Sequence, residues 1–451
     1  MKIGIVGWGL EGQSAFRYFG PDNDYLIVNE APRDDFPAQT DKIKVQFVDS
    51  PRPAGTTSNV TNLDYLKGIE DCDKIVYTPI ARKNLETVFA ENDPFWSKAT
   101  TNQHIFFQTV KTKNIIGVTG TKGKGTTSTL IAKMLEATGK KVHFGGNVGR
   151  AVLDFVNEVK ADDWVVLELA NFQLYKLPFS PHIGVCLMIA PEHMDWHPDM
   201  DDYLQAKSNI FQHQTTDDIA IYLAGNTYSE QAAGTSAGIK IPYFASPGAR
   251  VNESGAVVIG EEETEIIKTS DLKLLGHHNW QNVCAAVTAV WQVSQDVNAL
   301  KQVLASFSGL PHRLEFVREV GGVKYYDDSF GTTPETAVVA LEALVQPAVL
   351  IAGGFDRGIS VEPLIKELLK DRVRHVVTIG QTGNKIAEEL KNKGFERITT
   401  GSQTMAQAVV AAAKAAQAGD VVLLSPAAAS FDMFPNFEVR GNEFKKAVSS
   451  L

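Results

Sequence analysis

The sequence predicts an α/β protein built from three domains. Three times along the chain, near residues 3, 114 and 323, a short apolar segment typical of a buried strand leads through a polar or glycine-rich turn into a helical segment. Strands that alternate with helices in this way form parallel sheets covered by helices. A length of 451 residues also exceeds what one ordinary hydrophobic core can organise. We place the domains at 1–102, 103–309 and 310–451.

The composition is that of a folded globular protein. Hydrophobic residues make up 44% and charged residues 21% of the chain, and the formal net charge is −10. A negative net charge disfavours nucleic acid as a partner, and no apolar run approaches the roughly 18 residues of a membrane span. Three cysteines without a metal or pairing pattern indicate reduced thiols. Because Met1 leads directly into a strand, we expect no leader peptide and a cytoplasmic location. We also expect a monomer that binds neither membrane nor nucleic acid.

The first domain begins with a nucleotide-binding pattern. The predicted strand Lys2–Val6 is followed by Gly-Trp-Gly-Leu-Glu-Gly at 7–12, which matches G-x-G-x-x-G. A second strand, 25–28, ends in Asn29 and Glu30, close to where such folds place the acidic residue that binds a ribose. The pattern predicts a Rossmann-like domain for a diphosphate-bearing nucleotide. It leaves an NAD-binding oxidoreductase open as an alternative.

The second domain opens with the strongest functional signal, a glycine-rich loop at 117–127 between a strand and a helix predicted to begin at Ser128. Glycines let backbone N–H groups approach an anion, the helix N-terminus adds a positive dipole, and Lys124 can reach terminal phosphates. Gly125 follows the lysine where a hydroxyl normally helps to hold Mg²⁺, so Thr126 is the nearest replacement. The loop predicts a P-loop ATPase-like domain that binds a nucleoside triphosphate.

Two further stretches of this domain supply carboxylate and imidazole groups. Glu168 ends a buried strand, and the carboxyl end of a parallel strand faces the ligand crevice. The apolar segment 183–189 is followed by His193, Asp195 and His197. No third nitrogen or sulfur ligand completes a zinc site there. The better interpretation is a magnesium shell that contains one histidine, one carboxylate and phosphate oxygens.

Other polar residues of the second domain are less specific. Lys207 lies on an amphipathic helix predicted over 203–211, where a lysine is usually a solvated charge. Residues 218–267 predict an irregular region with β character. Asn279 and Asn282 are three positions apart and would share a helical face, from which their amides could contact a base edge. N-capping by Asn279 is the structural alternative.

The third domain repeats the α/β alternation and is predicted to be Rossmann-like. After Gly-Leu-Pro-His-Arg at 309–313, a strand near 323–326 leads to a polar turn and to a helix with Pro334 in its first turn. Three further buried strands follow, separated by helical segments: 348–352, 375–379 and 421–424.

Together these stretches resemble the Mur ligase family, ATP-dependent amide-forming enzymes of peptidoglycan precursor synthesis. The resemblance covers nearly the whole chain. It is found at 117–127, 146–149, 168–174, 192–195, 206–207, 278–282, 309–313, 328–329 and 423–444. The last of these segments is most similar to the branch of the family that adds D-glutamate to UDP-N-acetylmuramoyl-L-alanine.

The resemblance implies roles for individual residues. Those implied to bind ATP are Gly120, Thr121, Lys122, Gly123, Lys124, Gly125, Thr126, Thr127, Asn282, Arg313 and Asp328. Those implied to hold two Mg²⁺ ions are Thr126, Glu168, His193 and Lys207, the last as a carbamylated lysine. The catalytic groups would be Lys124, His193 and Lys207. Those implied to bind the UDP-linked substrate are Gly9, Leu10, Glu11, Asn29, Glu30 and Asn147. Those implied to bind glutamate are Thr332, Arg357, Ser430 and Phe437.

The implied reaction activates a carboxylate. The terminal carboxylate of the substrate attacks the γ-phosphate of ATP, and the amine of the amino acid then attacks the resulting acyl phosphate. Lysine, arginine and Mg²⁺ would neutralise the charge that develops. Closure of the third domain would exclude water, which would otherwise hydrolyse the intermediate.

The chain also departs from the family pattern. Gly125 is inserted after Lys124, as in folylpolyglutamate synthases, and Ala170-Asn171 replace a serine pair. Phe330 replaces a lysine that helps to bind the glutamate side chain, and Arg357 could supply that charge instead. L-Glutamate therefore remains an alternative amino acid. Two further hypotheses are a polyglutamate ligase and a non-catalytic nucleotide-binding protein.

Overall fold

The computed structural model describes residues 1–48, 62–274 and 276–451. They form two compact units. Unit 1 comprises Met1–Asp271 and Trp280–Ala305, and unit 2 comprises Leu272–Asn279 and Ser306–Leu451. Within these described ranges, no helix combines the length and the apolar composition needed to cross a membrane.

The first sheet of unit 1 has five parallel strands in the order β3-β2-β1-β4-β5. The strands are β1 (Lys2–Val6), β2 (Asp24–Asn29), β3 (Ile43–Phe47), β4 (Lys74–Tyr77) and β5 (Ala99–Thr100). The helices are α1 (Leu10–Phe19), α2 (Arg82–Val88), α3 (Phe95–Lys98) and α4 (Asn102–Thr109). The strand order reverses between β1 and β4, and open α/β sheets bind ligands at such a point.

The second sheet of unit 1 has six parallel strands in the order β11-β10-β9-β6-β8-β7. The strands are β6 (Ile115–Thr119), β7 (Val142–Gly146), β8 (Trp164–Glu168), β9 (Ile183–Cys186), β10 (Ile219–Leu223) and β11 (Ile239–Tyr243). The helices are α5 (Lys124–Ala137), α6 (Asn171–Leu174), α7 (Met200–Gln212) and α8 (Thr227–Gly234). The central strands β6, β8 and β9 are buried along almost their whole length, which explains their continuous apolar sequences.

The β character predicted for residues 218–267 is confirmed, but the prediction that the region is irregular was wrong. β10, α8 and β11 extend the six-stranded sheet, and a separate antiparallel sheet follows, made of β12 (Arg250–Val251), β13 (Ala256–Ile259) and β14 (Thr264–Lys268). The edge strand β11 is partly exposed and contains Pro242, so its sequence lacks the apolar run of a central strand. The chain then continues into α9 (His278–Trp291) and α10 (Val297–Ser306).

The sheet of unit 2 has the order β15-β16-β20-β17-β18-β19, with β15 antiparallel to β16 and the other pairs parallel. The strands are β15 (Glu315–Val320), β16 (Val323–Asp327), β17 (Ala348–Gly353), β18 (Val373–Ile379), β19 (Ile398–Ser402) and β20 (Val421–Leu424). The helices are α11 (Pro334–Glu342), α12 (Glu362–Leu368), α13 (Gly380–Asn392), α14 (Met405–Ala415) and α15 (Phe437–Ser449). Buried clusters cover both faces of this sheet, as doubly wound packing requires.

The prediction of an α/β fold with mostly parallel sheets is therefore confirmed. Each of the three predicted domains contains one large sheet, while the boundaries at 102 and 309 stay predictions. One helix start was misplaced: α5 begins at Lys124 rather than at Ser128. Gly123 has a left-handed backbone conformation and precedes the helix, so the four residues after it form the first helical turn.

Candidate active site

A cavity of about 470 Å³ is lined by residues at the carboxyl ends of β1, β2, β4 and β7. Its lining includes all six residues predicted to bind the UDP-linked substrate: Gly9, Leu10, Glu11, Asn29, Glu30 and Asn147. The cavity is within the size range of small-molecule sites. Among the described residues that line it, none is a lysine, arginine or histidine.

The N-terminus of α1 lines this cavity. Gly12 makes the turn possible, because a Cβ at this position would lie 2.0 Å from the carbonyl oxygen of Gly7. The first N–H groups of a helix have no intrahelical acceptor, so those of Leu10 and Glu11 can serve an anion. The turn therefore offers an anion backbone donors rather than cationic side chains.

The polar side chains of this cavity have partners within the protein. The Oε1 atom of Glu11 accepts hydrogen bonds from the side-chain amides of Gln103 at 2.6 Å and Gln173 at 2.7 Å. Burial raises the pKa of Glu11. The side chain of Asn29 accepts a hydrogen bond from the N–H of Trp8 and therefore supports the glycine-rich turn.

The loop predicted to bind phosphate wraps around the N-terminus of α5. Lys124 Nζ donates hydrogen bonds to the carbonyl oxygens of Gly120 and Thr121, both at 3.0 Å. A Cβ at Gly123 would lie 2.2 Å from Oδ1 of Asn282, so only glycine permits this approach. The predicted nucleotide contact Asn282 thus packs against the loop itself.

Lys207 is 1% exposed, and its interpretation as a solvated surface charge was wrong. Its Nζ donates a hydrogen bond to the carbonyl oxygen of Gly120 at 2.8 Å, beside Lys124. Burial, followed by the charge of Lys124, lowers the pKa of Lys207 well below its ordinary value. The periodicity of α7 predicts which of its faces is buried, but it cannot indicate that a phosphate loop crosses this face.

Glu168 is 3% exposed and hydrogen-bonded on one side only. Its Oε1 accepts a hydrogen bond from Nδ2 of Asn147 at 2.8 Å. Its Oε2 is buried and has no hydrogen-bond partner among the described residues. A buried carboxylate oxygen left in this state is costly unless a cation or a donor reaches it. The charges of Lys124 and Glu168 both act on Lys207.

The two histidines after β9 differ. His193 has a positive φ of 58°, is half-buried and experiences the charges of Lys124 and Lys207, so it belongs to the loop site. Burial lowers the pKa of His193. His197 is fully buried and is hydrogen-bonded to Asn171 at 2.7 Å and to Asp202 at 2.6 Å. Both ring nitrogens of His197 are therefore occupied, which makes it a structural residue.

In unit 2, Asp328 is buried and hydrogen-bonded to the N–H of Leu314 and to the hydroxyl of Ser425. Burial raises the pKa of Asp328 to about 7. The guanidinium of Arg313 lies 3.7 Å from the ring centre of Phe330. The ring of Phe330 in turn meets that of Phe437 edge-on, with centroids 5.0 Å apart. Phe330, which departs from the family pattern, thus contacts two of the predicted site residues.

Arg440 was not singled out from the sequence, although it lies in the 423–444 segment of the resemblance. Its side chain is fully buried and donates hydrogen bonds to Oγ and the carbonyl oxygen of Ser329, and to the carbonyl oxygen of Ala428. Burial lowers the pKa of Arg440 to about 10. The arginine therefore ties the turn that follows β16 to the loop that follows β20.

A second, small cavity in unit 2 is lined by Thr332 and Arg357, two of the four predicted amino-acid-binding residues. Thr382, which no sequence pattern singled out, lines the same cavity. Ser430 is buried in the loop after β20, and Phe437 begins α15. Neither of these two residues lines the cavity, so the structure brings only half of the predicted set together there.

The chain has two glycine-rich turns at the carboxyl ends of parallel strands. One of them is accompanied by two lysines and a buried carboxylate. These features define an α/β nucleotide-binding protein. Residues 118–290 match the family described as Mur ligase middle domain, and residues 312–428 match the Mur ligase, glutamate ligase domain.

The UDP-N-acetylmuramoylalanine–D-glutamate ligase of Acetivibrio thermocellus is 38% identical over 403 residues, which cover 86% of this chain and 84% of the relative. The enzyme of the same name from Clostridium kluyveri is 34% identical and covers 100% of this chain and 97% of the relative. The structure of MurF ligase from Thermotoga maritima in complex with ADP is similar in fold, with a TM-score of 0.61 at 15% identity, covering 99% of this chain and 95% of that one.

The chain belongs to the Mur ligase family. Membership in a ligase family removes the nicotinamide oxidoreductase as an interpretation of the first glycine-rich turn.

Proposed function

We propose that the protein is an ATP-dependent ligase that joins D-glutamate to UDP-N-acetylmuramoyl-L-alanine through an acyl phosphate. The names of its relatives support this pair of substrates. The observation that carries the proposal is the group around the phosphate loop, where two lysines meet at the carbonyl oxygen of Gly120 beside the buried carboxylate of Glu168. We expect the reaction to take place in the cytoplasm and the enzyme to be a monomer.

In unit 1 the loop 120–127 would hold the phosphates of ATP. The N-terminus of α5 supplies backbone N–H groups and a positive dipole end. Lys124 would exchange its bonds to two backbone carbonyls for bonds to phosphate oxygens. Attack of a carboxylate on a triphosphate brings like charges together, and a lysine held at this point lowers the cost of that approach.

Magnesium suits the residues beside the loop. Oε2 of Glu168 is an acceptor without a donor among the described residues, and Thr126 and His193 would be further ligands. The hydrogen bond from Asn147 to Oε1 orients the carboxylate, as the outer partners of metal ligands commonly do. Bound Mg²⁺ supplies positive charge that favours phosphoryl transfer.

Carbamylation of Lys207 is part of this proposal. Lys207 is buried, and no ion pair among the described residues includes it. A buried amine that forms no ion pair favours its neutral form, which can attack CO₂ to form an N–C bond with release of a proton. The product carries a carboxylate, the ligand type that Mg²⁺ prefers. A carbamate signal in carbon-13 NMR after incubation with labelled bicarbonate tests this step, and its absence in the active enzyme would argue against it.

The cavity of about 470 Å³ would hold the UDP-linked substrate. Its diphosphate would lie at the N-terminus of α1, near Gly9, Leu10 and Glu11. Asn29 ends β2 and Glu30 follows it, on the side where a ribose would bind. Asn147 lines this cavity and also bonds Glu168. It would therefore lie between the bound substrate and the metal ligand.

The remaining roles are proposed on the family resemblance. Asn282 would contact the adenine of ATP, and in unit 2 Arg313 and Asp328 would contact its phosphates and ribose. The amino acid would be bound by Thr332, Arg357, Ser430 and Phe437. Two of these four line one cavity, and Phe437 packs against Phe330.

Phosphate release from ATP in the presence of UDP-N-acetylmuramoyl-L-alanine tests the proposed function. We expect turnover with D-glutamate and none when the amino acid is omitted. Turnover with L-glutamate instead would keep the chemistry and overturn the choice of amino acid, with Phe330 as the residue to examine. No turnover with either amino acid would overturn the proposal.

A further inference from the structure

The small cavity of unit 2 has features that the proposed roles do not use. Its volume of about 10 Å³ holds one small polar group, not a whole amino acid. Apolar residues form much of its wall, including Phe355, Val361 and the backbone region 427–429. A polar atom enclosed in such surroundings needs a partner.

Two donors that line this cavity are unpartnered in the described part of the chain. Thr382 is 5% exposed, and its Oγ1 is buried without a hydrogen-bond partner among the described residues. Nε of Arg357 is likewise buried without a hydrogen-bond partner among the described residues, although the residue as a whole is half-buried. Across residues 1–48, 62–274 and 276–451, no ion pair includes the Arg357 guanidinium, and burial alone lowers its pKa. A hydroxyl and a guanidinium that face one enclosed space are complementary to a carboxylate, which accepts several hydrogen bonds.

The backbone holds Thr382 in place independently of its hydroxyl. Thr382 is the third residue of α13, and its N–H donates to the carbonyl oxygen of Gly354 at 2.7 Å. The side chain therefore lies at the N-terminal end of a 13-residue helix, where the helix dipole favours a negative charge.

Two acidic side chains lie nearby, and one of them, Asp356, lines the cavity. Oδ1 of Asp356 accepts from the N–H of Gly358, and its Oδ2 lies 3.9 Å from Nζ of Lys385. Oδ2 of Asp432 accepts from the N–H of Gln381 at 2.9 Å, while its Oδ1 is buried without a hydrogen-bond partner among the described residues. Neither carboxylate forms an ion pair with Arg357 among the described residues.

Resting on the proposed function, we propose that Thr382 is a specificity-determining residue that binds the side-chain carboxylate of the incoming glutamate together with Arg357. The Thr382 hydroxyl would donate to one carboxylate oxygen, while the guanidinium supplies the counter-charge. The cavity would thus select an amino acid whose side chain ends in a carboxylate over its amide or unbranched apolar counterparts.

The variant Thr382→Val tests this assignment, because it keeps the shape of the side chain and removes the hydroxyl. We expect the KM for glutamate to rise about tenfold or more, since a hydrogen bond to a charged group is lost. The KM values for ATP and for the UDP-linked substrate should stay unchanged, and Thr382→Ser should retain most of the glutamate affinity. Thr400→Val, at an exposed position of β19, is the matched control.

Thermal unfolding separates binding from a structural role. The Thr382 hydroxyl has no partner to lose among the described residues, so Thr382→Val should unfold at the wild-type temperature or above it. An unchanged KM for glutamate, or a rise in all three KM values with a lower unfolding temperature, would overturn the assignment of Thr382 alone. Wild-type enzyme that turns over neither D- nor L-glutamate would overturn the proposed function and this inference together.

Discussion

Unit 1 contains two glycine-rich turns that each connect a buried parallel strand to the N-terminus of a helix. The turn at 7–12 lines a cavity whose described lining has no cationic side chain and includes Glu11 and Glu30. The turn at 120–127 contains Lys124 and accepts a hydrogen bond from Lys207, on which the charge of Glu168 also acts. The backbone N–H groups of both turns can therefore bind an anion. Only the second turn also has cationic side chains that can stabilise the negative charge that develops during a reaction.

The largest effect should come from removing the lysine of the second turn. We expect Lys124→Met to lower kcat/KM about a thousandfold, because the charge that neutralises the phosphates in the transition state is lost. Phosphate release measures this, with Lys133→Met on the exposed side of α5 as the matched control. A loss of less than about tenfold would mean that both turns bind ligands by backbone alone.

Replacing the buried lysine should be nearly as severe. We expect Lys207→Met to lower kcat/KM about a hundredfold, because a proposed metal ligand is lost. The activity of the wild-type enzyme should also fall when bicarbonate is removed and return when it is added back. If the variant and the wild type respond equally to bicarbonate, Lys207 is not the group that is carbamylated.

Asn147 offers a way to test whether the two sites are independent. It lines the first cavity and bonds Glu168 of the second site. We expect Asn147→Ala to lower kcat/KM about 10- to 100-fold and to raise both the KM for the UDP-linked substrate and the Mg²⁺ concentration needed for activity. Asn157→Ala, at an exposed position, is the control. A change in only one of the two quantities would confine Asn147 to one site.

The smallest effect should come from the acid of the first turn. Glu11→Gln can keep the hydrogen bonds from Gln103 and Gln173 while it removes a charge near the expected diphosphate. We expect the KM for the UDP-linked substrate to fall a few-fold, with the KM for ATP unchanged.

The pH dependence of the same variant sharpens this prediction. Burial raises the pKa of Glu11, so in the wild type the carboxyl stays neutral to higher pH than usual and then becomes anionic. The KM for the UDP-linked substrate should therefore rise with increasing pH through that pKa, and Glu11→Gln should lack this rise. Glu136→Gln on the exposed face of α5 is the control. A higher KM in Glu11→Gln at all pH values would mean that the carboxylate itself binds the substrate.

The central strands were the most predictable part of the fold. β1 and β20 have the bounds that their sequences predict, because strands buried on both faces read as continuous apolar segments. β10 and β11 lie in a region predicted to have β character, but neither strand was delimited; β11, at the edge of the sheet, is only partly buried. Local pattern identifies an element best where burial is most complete.

The candidate site was predictable in its residue types but not in its contacts. The glycine loop and His193 follow recognisable strands and Glu168 ends one, so their neighbourhood could be anticipated. The burial of Lys207 depends on Gly120, which is 87 positions away, and no local signal reports such a contact. Thr382 is a threonine near a helix start, a common structural position, and only the cavity around it distinguishes it. The roles of all these residues stay predictions.

Arg440 has a consequence for the order of events during synthesis. Its side chain bonds Ser329, which lies 111 positions earlier in the chain. During translation, the turn that contains Asp328 and Ser329 therefore leaves the ribosome long before Arg440, whose hydrogen bonds hold that turn in place. The sheet of unit 2 can begin to form from its own strands, but this turn and the loop around Ala428 take their final geometry only after α15 docks. In the nascent protein, the proposed amino-acid site would be among the last features to mature.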